Sequence, residues 1–236
     1  MASVPTPSIV AAFVPADILA LFDLDHTLLP HDSDEQWVEF LIEEGVLDRA
    51  MFEAGNRVIV DRYRRGEVGL LEFTEFYLST LEPHPVSRLE AWRQQYLQKR
   101  IFPMILPSAR ELVERHRAAG DLVVLTTATS SFLTTPIARE FGVEHLIATE
   151  PELRDGRYTG KVAGTPNMRE AKVIRLEAWL AQRGQRLAEF RESWFYSESR
   201  NDIPLLSVVT HPVAVNPDPT LAALAAEKRW TVLQIG

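Results

Sequence analysis

Apolar positions along the chain fall into two textures. The first is continuous: Ile18, Leu19, Leu21 and Phe22 run together in "DILALFDLDHTLLP" and stop at Asp23 and Asp25. An apolar run of that length bounded by charge reads as a buried strand. The second texture is helical and occupies residues 33 to about 102. In "EQWVEFLIEEG" Trp37, Phe40 and Leu41 share one face, Asp32, Ser33 or Asp34 stands ready to cap it, and Gly45 ends it. Three more helical patterns follow, "LDRAMFEAGNRVIVDRYRRG", "GLLEFTEFYLSTL" and "PVSRLEAWRQQYLQKR", separated by Gly66 to Gly69 and by the Pro83 to Pro85 turn. No strand pattern interrupts them.

From Pro107 onward the two textures alternate. A helix "SARELVERHRAAG" leads into the continuous apolar run that opens "LVVLTT", which suits a strand buried on both faces. There follow a helix around Phe132 to Phe141, a strand "HLIAT", a helix from Arg169 to Gln182 and a strand "WFYS". A short helix from Ile203 to Leu206, a strand "VAVN" and a helix from Leu221 to Lys228 complete the series. Alternating strands and helices predict a parallel sheet with helices on both faces. Within "ELRDGRYTGKVAG", Asp155 and Gly156 signal a small antiparallel hairpin. The expected architecture is a doubly wound α/β core over residues 17–32 and 103–236, a helical cap over 33–102, and a loose tail over 1–16.

Composition narrows the class. At 236 residues the chain accommodates one sizeable core with a smaller insertion. Its 33 acidic against 25 basic residues leave no electrostatic footprint for a phosphate backbone, so nucleic acid is not an expected partner. The absence of cysteine removes disulfides, thiol catalysis and cysteine-ligated zinc, and suits a reducing compartment such as the cytoplasm. The leader lacks the basic start of a signal peptide and is broken by Pro15 and Asp17. No stretch is long and apolar enough to span a membrane, so none is expected as a partner. Nothing in the pattern speaks to oligomeric state.

Chemistry concentrates at the end of the first strand. In extended backbone, residues two apart point to one side, so Asp23 and Asp25 share a face while Leu24 packs the other way. Two adjacent carboxylates repel unless a cation joins them, and hard oxygen ligands suit Mg²⁺. Open α/β sheets bind ligands at the carboxyl ends of their strands, which is where this pair falls. His26 and His31 flank the pair and read as surface or packing residues.

These residues resemble the haloacid dehalogenase superfamily of phosphohydrolases. "DLDHT" matches its first motif, Asp-x-Asp-x-Thr. Thr127, closing "LVVLTT", resembles the second, with Thr126 and Thr129 as neighbours of the same type. Lys172 in "MREAKVIRLEAWL" resembles the third, with Lys161 as rival, and "YSESRNDIPLL" the fourth. The helical insertion is similar to the small cap of the phosphoserine-phosphatase-like branch. The resemblance implies that Asp23 attacks phosphorus to give an aspartyl-phosphate, and that Asp25 serves as acid and base. It further implies that Thr127 and Lys172 bind the phosphoryl oxygens, and that Asp23, the Asp25 carbonyl, Glu198 and Asp202 hold Mg²⁺. Glu198 departs from the family, which has aspartate there.

The expected substrate is a small phosphorylated metabolite. Asp32 lies nine residues beyond Asp23, where related phosphatases meet a substrate amine, whereas "LLEFTEFYLSTL" offers no arginine for a carboxylate. The resemblance extends to bacterial histidinol-phosphatases, which makes histidinol phosphate the favoured substrate and phosphoserine its rival. A regulator that binds metal or phosphate without turnover, and a phosphotransferase, are the alternatives from other classes.

Overall fold

The computed structural model describes residues 16–236, so the tail expected over residues 1–16 lies, but for its last residue, outside the described residues. The chain opens with β1 (Ile18–Phe22) and then builds α1 (Ser33–Glu43), α2 (Arg49–Arg64), α3 (Leu70–Leu78) and α4 (Val86–Tyr96). A π-helical turn (Leu97–Ile101) runs on into a single helical turn, α5 (Phe102–Met104), and α6 (Pro107–Ala119) returns to the sheet. Then come β2 (Leu122–Ser130), α7 (Ser131–Glu140), β3 (His145–Thr149) and the hairpin β4 (Pro151–Arg154) and β5 (Arg157–Val162). The remainder is α8 (Glu170–Gln182), β6 (Glu192–Ser197), α9 (Ile203–Leu206), β7 (His211–Val215), α10 (Pro219–Lys228) and β8 (Thr231–Leu233).

Six strands form one sheet in the order β3-β2-β1-β6-β7-β8, and every pairing in it is parallel. β1 is central because its alternation is apolar on both sides. Ala20 and Phe22 join the cluster beneath α1, α4, α6 and α7, while Leu19 and Leu21 join the opposite cluster with α8, α9 and α10. This is the doubly wound α/β fold that the pattern predicts. The strand order reverses beside β1, and the crevice at such a reversal is where a ligand fits. The separate two-stranded sheet turns at Asp155 and Gly156, both at positive φ, as the hairpin signal requires. β8 escaped the sequence reading: three residues, Thr231 to Leu233, are too few for a period to register.

Residues 33–102 hold helices joined by turns, without a strand, and the helices divide by packing. Trp37, Phe40 and Leu41 of α1, with Leu89 and Tyr96 of α4, are buried in the same cluster as Phe22. α2 buries only Ile59 and α3 only Leu78. The hairpin braces α3 through Lys161 Nζ to Glu75 at 3.0 Å and the Val162 N–H to Glu75 at 3.3 Å. Among the described residues, no helix is long and apolar enough to cross a membrane.

Candidate active site

The strand ends converge on a cavity of about 250 Å³. β1 extends its ladder by one bond, Asp23 N–H to the Tyr196 carbonyl at 2.9 Å, which fixes the Asp23 backbone at the rim. The chain then folds back: the Leu24 carbonyl accepts from Thr27, Leu28 and Leu29, and His26 adopts a left-handed φ of 56°. That tight loop returns Asp25 to the cavity beside Asp23.

Lys172 comes from the first turn of α8 and is only 2% exposed. Its ammonium donates to Asp23 Oδ1 at 2.8 Å and to Asp202 Oδ2 at 2.7 Å. Burial alone would lower this lysine, but the carboxylates of Asp202 and Asp23 outweigh it and hold the ammonium above its ordinary value. Asp202 is positioned by the turn after β6, where Ser197 Oγ donates to the same oxygen at 2.8 Å. Burial raises Asp202 to about 6 even though Lys172 opposes that shift.

Asp25 is held at both oxygens. Ser33 N–H donates to Oδ1 at 2.8 Å and Thr129 Oγ to Oδ2 at 2.7 Å. Burial, then the negative charge of Asp32, push its carboxyl well above the usual range, with Asp23 adding a smaller push in the same direction. Thr127 does not close its strand, since β2 runs on to Ser130, but it is buried just past the last regular pairing at Thr126, and its hydroxyl oxygen accepts from Thr129 N–H at 3.2 Å, leaving its own hydrogen uncommitted. Glu198 answers its extra methylene by pairing with Thr27: the Thr27 hydroxyl donates to Oε2 at 2.9 Å, and Glu198 N–H returns a bond to that hydroxyl at 3.1 Å.

The structure therefore gathers Asp23, Asp25, Asp32, Thr127, Lys172, Glu198 and Asp202 around one cavity. Asp32 has a second occupation, because its Oδ1 caps α1 by accepting Glu35 N–H at 2.9 Å. Two residues that the motifs did not single out also belong to the lining. Thr129 bonds Asp25, and Asp34 stands 3.3 Å from the Thr129 hydroxyl, with its carboxyl raised to about 8 by burial and by Asp32. Their signal in the sequence was ambiguous, since a strand-end threonine and a first-turn aspartate are ordinary capping residues. His26 is exposed at the cavity edge, and His31 is exposed as well. Lys161 stands apart from the cavity, on the hairpin.

The donor chemistry accommodates the expected Mg²⁺. Among the described residues no three carboxylates or histidines converge as a ready-made chelate. Mg²⁺ does not need one, since it is usually held by one or two carboxylates with water and substrate phosphate completing the shell. Burial, then the charges of Asp23 and Asp202, raise the Glu198 carboxyl to about 9, and a cation bound beside it would favour the charged form instead.

The opposite wall is aromatic and acidic. Phe73, Thr74, Tyr77 and Leu78 of α3 share the lining with Asp32, Asp34 and Glu35. Burial raises the Tyr77 phenol, and the charges of Asp32, Glu35 and Asp34 add to that shift. Lys172 is the one lysine, and no arginine is present, among the described residues of the lining.

Comparison with known proteins agrees with this geometry. The haloacid dehalogenase-like hydrolase family model matches residues 20–207. A histidinol-phosphatase from Neisseria meningitidis serogroup C is 42% identical over 216 residues, 91% of this chain and 97% of that protein. A phosphoserine phosphatase from Streptococcus thermophilus is 27% identical over 189 residues, 80% of this chain and 79% of its own length. The crystal structure of a protein of unknown function from Bordetella pertussis Tohama I superposes with a TM-score of 0.88 at 51% identity, covering 92% of this chain and 97% of that one.

Proposed function

This chain belongs to the haloacid dehalogenase-like hydrolase family and is a phosphatase, and from that premise we propose that it hydrolyses histidinol phosphate through an aspartyl-phosphate on Asp23. The observation that carries the chemistry is the Lys172 ammonium between Asp23 and Asp202. An ammonium has three N–H donors and two are spent here, so the third is free for a phosphoryl oxygen. The uncommitted Thr127 hydrogen serves a second oxygen. Together they leave Asp23 facing phosphorus, as a nucleophile requires.

In the first step an Asp23 oxygen bonds to phosphorus while the ester P–O bond breaks, and the leaving alkoxide takes a proton from Asp25. In the second, water attacks phosphorus, Asp25 recovers a proton from it, and the Asp23 O–P bond breaks to release phosphate. The elevated Asp25 carboxyl suits this exchange, because a general acid has to hold its proton near working pH. Asp23, Asp202 and the Asp25 carbonyl would hold Mg²⁺, with Glu198 bonded to its water shell, and the ion would supply positive charge against the transferring group. The helices over residues 33–102, acting as a cap on the 17–32 and 103–236 core, close the cavity from above.

The substrate reading rests on the lining. An acidic and aromatic wall without a guanidinium receives an amine or imidazolium and repels a carboxylate, which favours an amino alcohol phosphate over phosphoserine. The 42% identity to a histidinol-phosphatase supports the same choice. The deciding experiment compares specificity constants for histidinol phosphate, phosphoserine and p-nitrophenyl phosphate, with and without Mg²⁺. Histidinol phosphate should exceed phosphoserine by at least about tenfold, a difference of about 1.4 kcal/mol in transition-state binding. Equal constants would leave a general small-molecule phosphatase, and turnover without Mg²⁺ would overturn the metal assignment. No turnover of any ester would favour the binding regulator.

A further inference from the structure

Arg169 stands out by its backbone. It is not glycine, yet it lies at φ 54° and ψ −131°, at the start of α8 and three residues before Lys172. An L side chain occupies that region only at a cost, and such residues gather where a site over-determines them. The side chain shows what is gained. Arg169 Nη2 donates to the Tyr63 hydroxyl at 2.6 Å and Nε to Asn201 Oδ1 at 3.3 Å, with the guanidinium over the Tyr63 ring at 5.9 Å. Tyr63 belongs to α2, Asn201 to the turn before Asp202, so one planar fork joins the helical wall to the acidic floor. Tyr63 in turn packs on Phe73 at 5.2 Å, and Phe73 lines the cavity.

We propose that Arg169 is a positioning residue for substrate selectivity: through Tyr63 it sets the place of the Phe73 wall against the Asn201 turn. The proposal rests on the phosphatase reading above and adds a determinant outside the catalytic motifs. α2 is tied at its first turn by Arg49 to Glu39 and in its middle by Phe52 against Phe76 and by the Tyr77 hydroxyl donating to Asn56, with Ile59 its single buried residue, whereas at its last turn Tyr63 is held by Phe73 and Arg169. The hairpin contacts at Glu75 hold α3 from the other side, so the Tyr63 end depends on Arg169. Lysine would substitute only in part, because a single ammonium keeps the charge but does not reproduce two donors in a fixed fork.

Three variants test this. Arg169→Gly tolerates the backbone conformation and removes the fork, Tyr63→Phe removes only the acceptor, and Arg169→Lys keeps the charge. Each is measured for kcat and KM on histidinol phosphate and p-nitrophenyl phosphate, and for hydrogen exchange of the α2 amides without substrate. Arg169→Gly should raise KM for histidinol phosphate by about tenfold, the scale of one charge-assisted hydrogen bond, with kcat and the aryl ester little changed. Its α2 amides should exchange faster. Tyr63→Phe should follow in the same direction, Arg169→Lys should recover part of the loss, and the double variant Arg169→Gly, Tyr63→Phe should be no worse than Arg169→Gly alone. Unchanged α2 exchange in Arg169→Gly, additive losses in the double variant, or equal losses on both esters would overturn the proposal. Failure of the unaltered enzyme to hydrolyse histidinol phosphate would overturn the substrate reading alone, because the exchange measurement decides the role of Arg169 without any substrate.

Discussion

The floor and the wall of the cavity are built on different terms. The floor consists of the C-terminal parts of β1, β2 and β6 with the first turn of α8, and its ion-paired groups are buried: Asp23 is 7% exposed, and Lys172 and Asp202 2%. Each is held by bonds to other buried groups, Ser197 among them. The wall consists of α2 and α3, which bury one residue apiece and expose Met51 and Val58 to solvent. Buried charge tolerates no vacancy, whereas exposed helices tolerate much. A cavity built this way keeps its chemistry constant and leaves its selectivity adjustable. Floor variants should therefore fail in kcat or in folding, and wall variants in KM.

The largest expected effect falls on the floor. Asp23→Asn keeps size and hydrogen bonding while removing the attacking charge, so it should lower kcat by more than about a thousandfold, as loss of a covalent nucleophile does. The circular dichroism spectrum should remain native. A purified Asp23→Asn protein turning over at near-normal rate would sink the covalent mechanism.

Next in size is Lys172→Met. The substitution preserves length but leaves Asp23 and Asp202 facing one another without their shared ammonium. Breaking a buried pair in this manner costs about 3–5 kcal/mol. Urea unfolding should show that loss at neutral pH and a smaller one below about pH 6, where Asp202 holds a proton. Tyr63→Phe, by contrast, should move the urea midpoint very little. If the two variants were equally destabilising, the distinction between floor and wall would fall.

Glu198 gives the pH signature of the floor. Its folded carboxyl is raised from 4.5 to about 9, by burial first and then by Asp23 and Asp202. Between those values the folded state keeps a proton that the unfolded chain has released, so stability falls as pH rises across that window. Asp202, raised from 3.8 to about 6, contributes in the same direction at the acid end. Metal-free protein should melt at progressively lower temperature from about pH 5 to pH 9, and Mg²⁺ should flatten that slope by replacing the proton. A slope that Mg²⁺ leaves unaltered would remove Glu198 from the metal site.

The same division explains what the chain revealed in advance. β1 with Asp23, and Lys172 at the head of an amphipathic helix, are local patterns, and their meeting across 149 residues follows from the sheet order. The wall was legible only as helices. The bond from Thr129 to Asp25 spans 104 residues and that from Arg169 to Tyr63 spans 106, and neither leaves a periodic trace. Asp32 carried two meanings at once, cap and cavity, and the structure keeps both.

That double role makes Asp32→Asn the finest test of the boundary between floor and wall. Asparagine caps a helix as well as aspartate does, so the Glu35 N–H keeps an acceptor and α1 should hold its place. Only the charge leaves. The preference for histidinol phosphate over the amine-free aryl ester should shrink by about tenfold, or about 1.4 kcal/mol, mostly through KM. The floor should register a second change, because the Asp32 charge helps to raise Asp25. Without it the Asp25 carboxyl falls, the acid form is lost sooner, and the alkaline limb of the kcat profile moves to lower pH on both esters. A preference that shrinks with an unmoved alkaline limb would confine Asp32 to meeting the substrate amine. A limb that moves with the preference intact would make it a tuning charge for the floor, and the amine would have to be met by Asp34 or Glu35 instead.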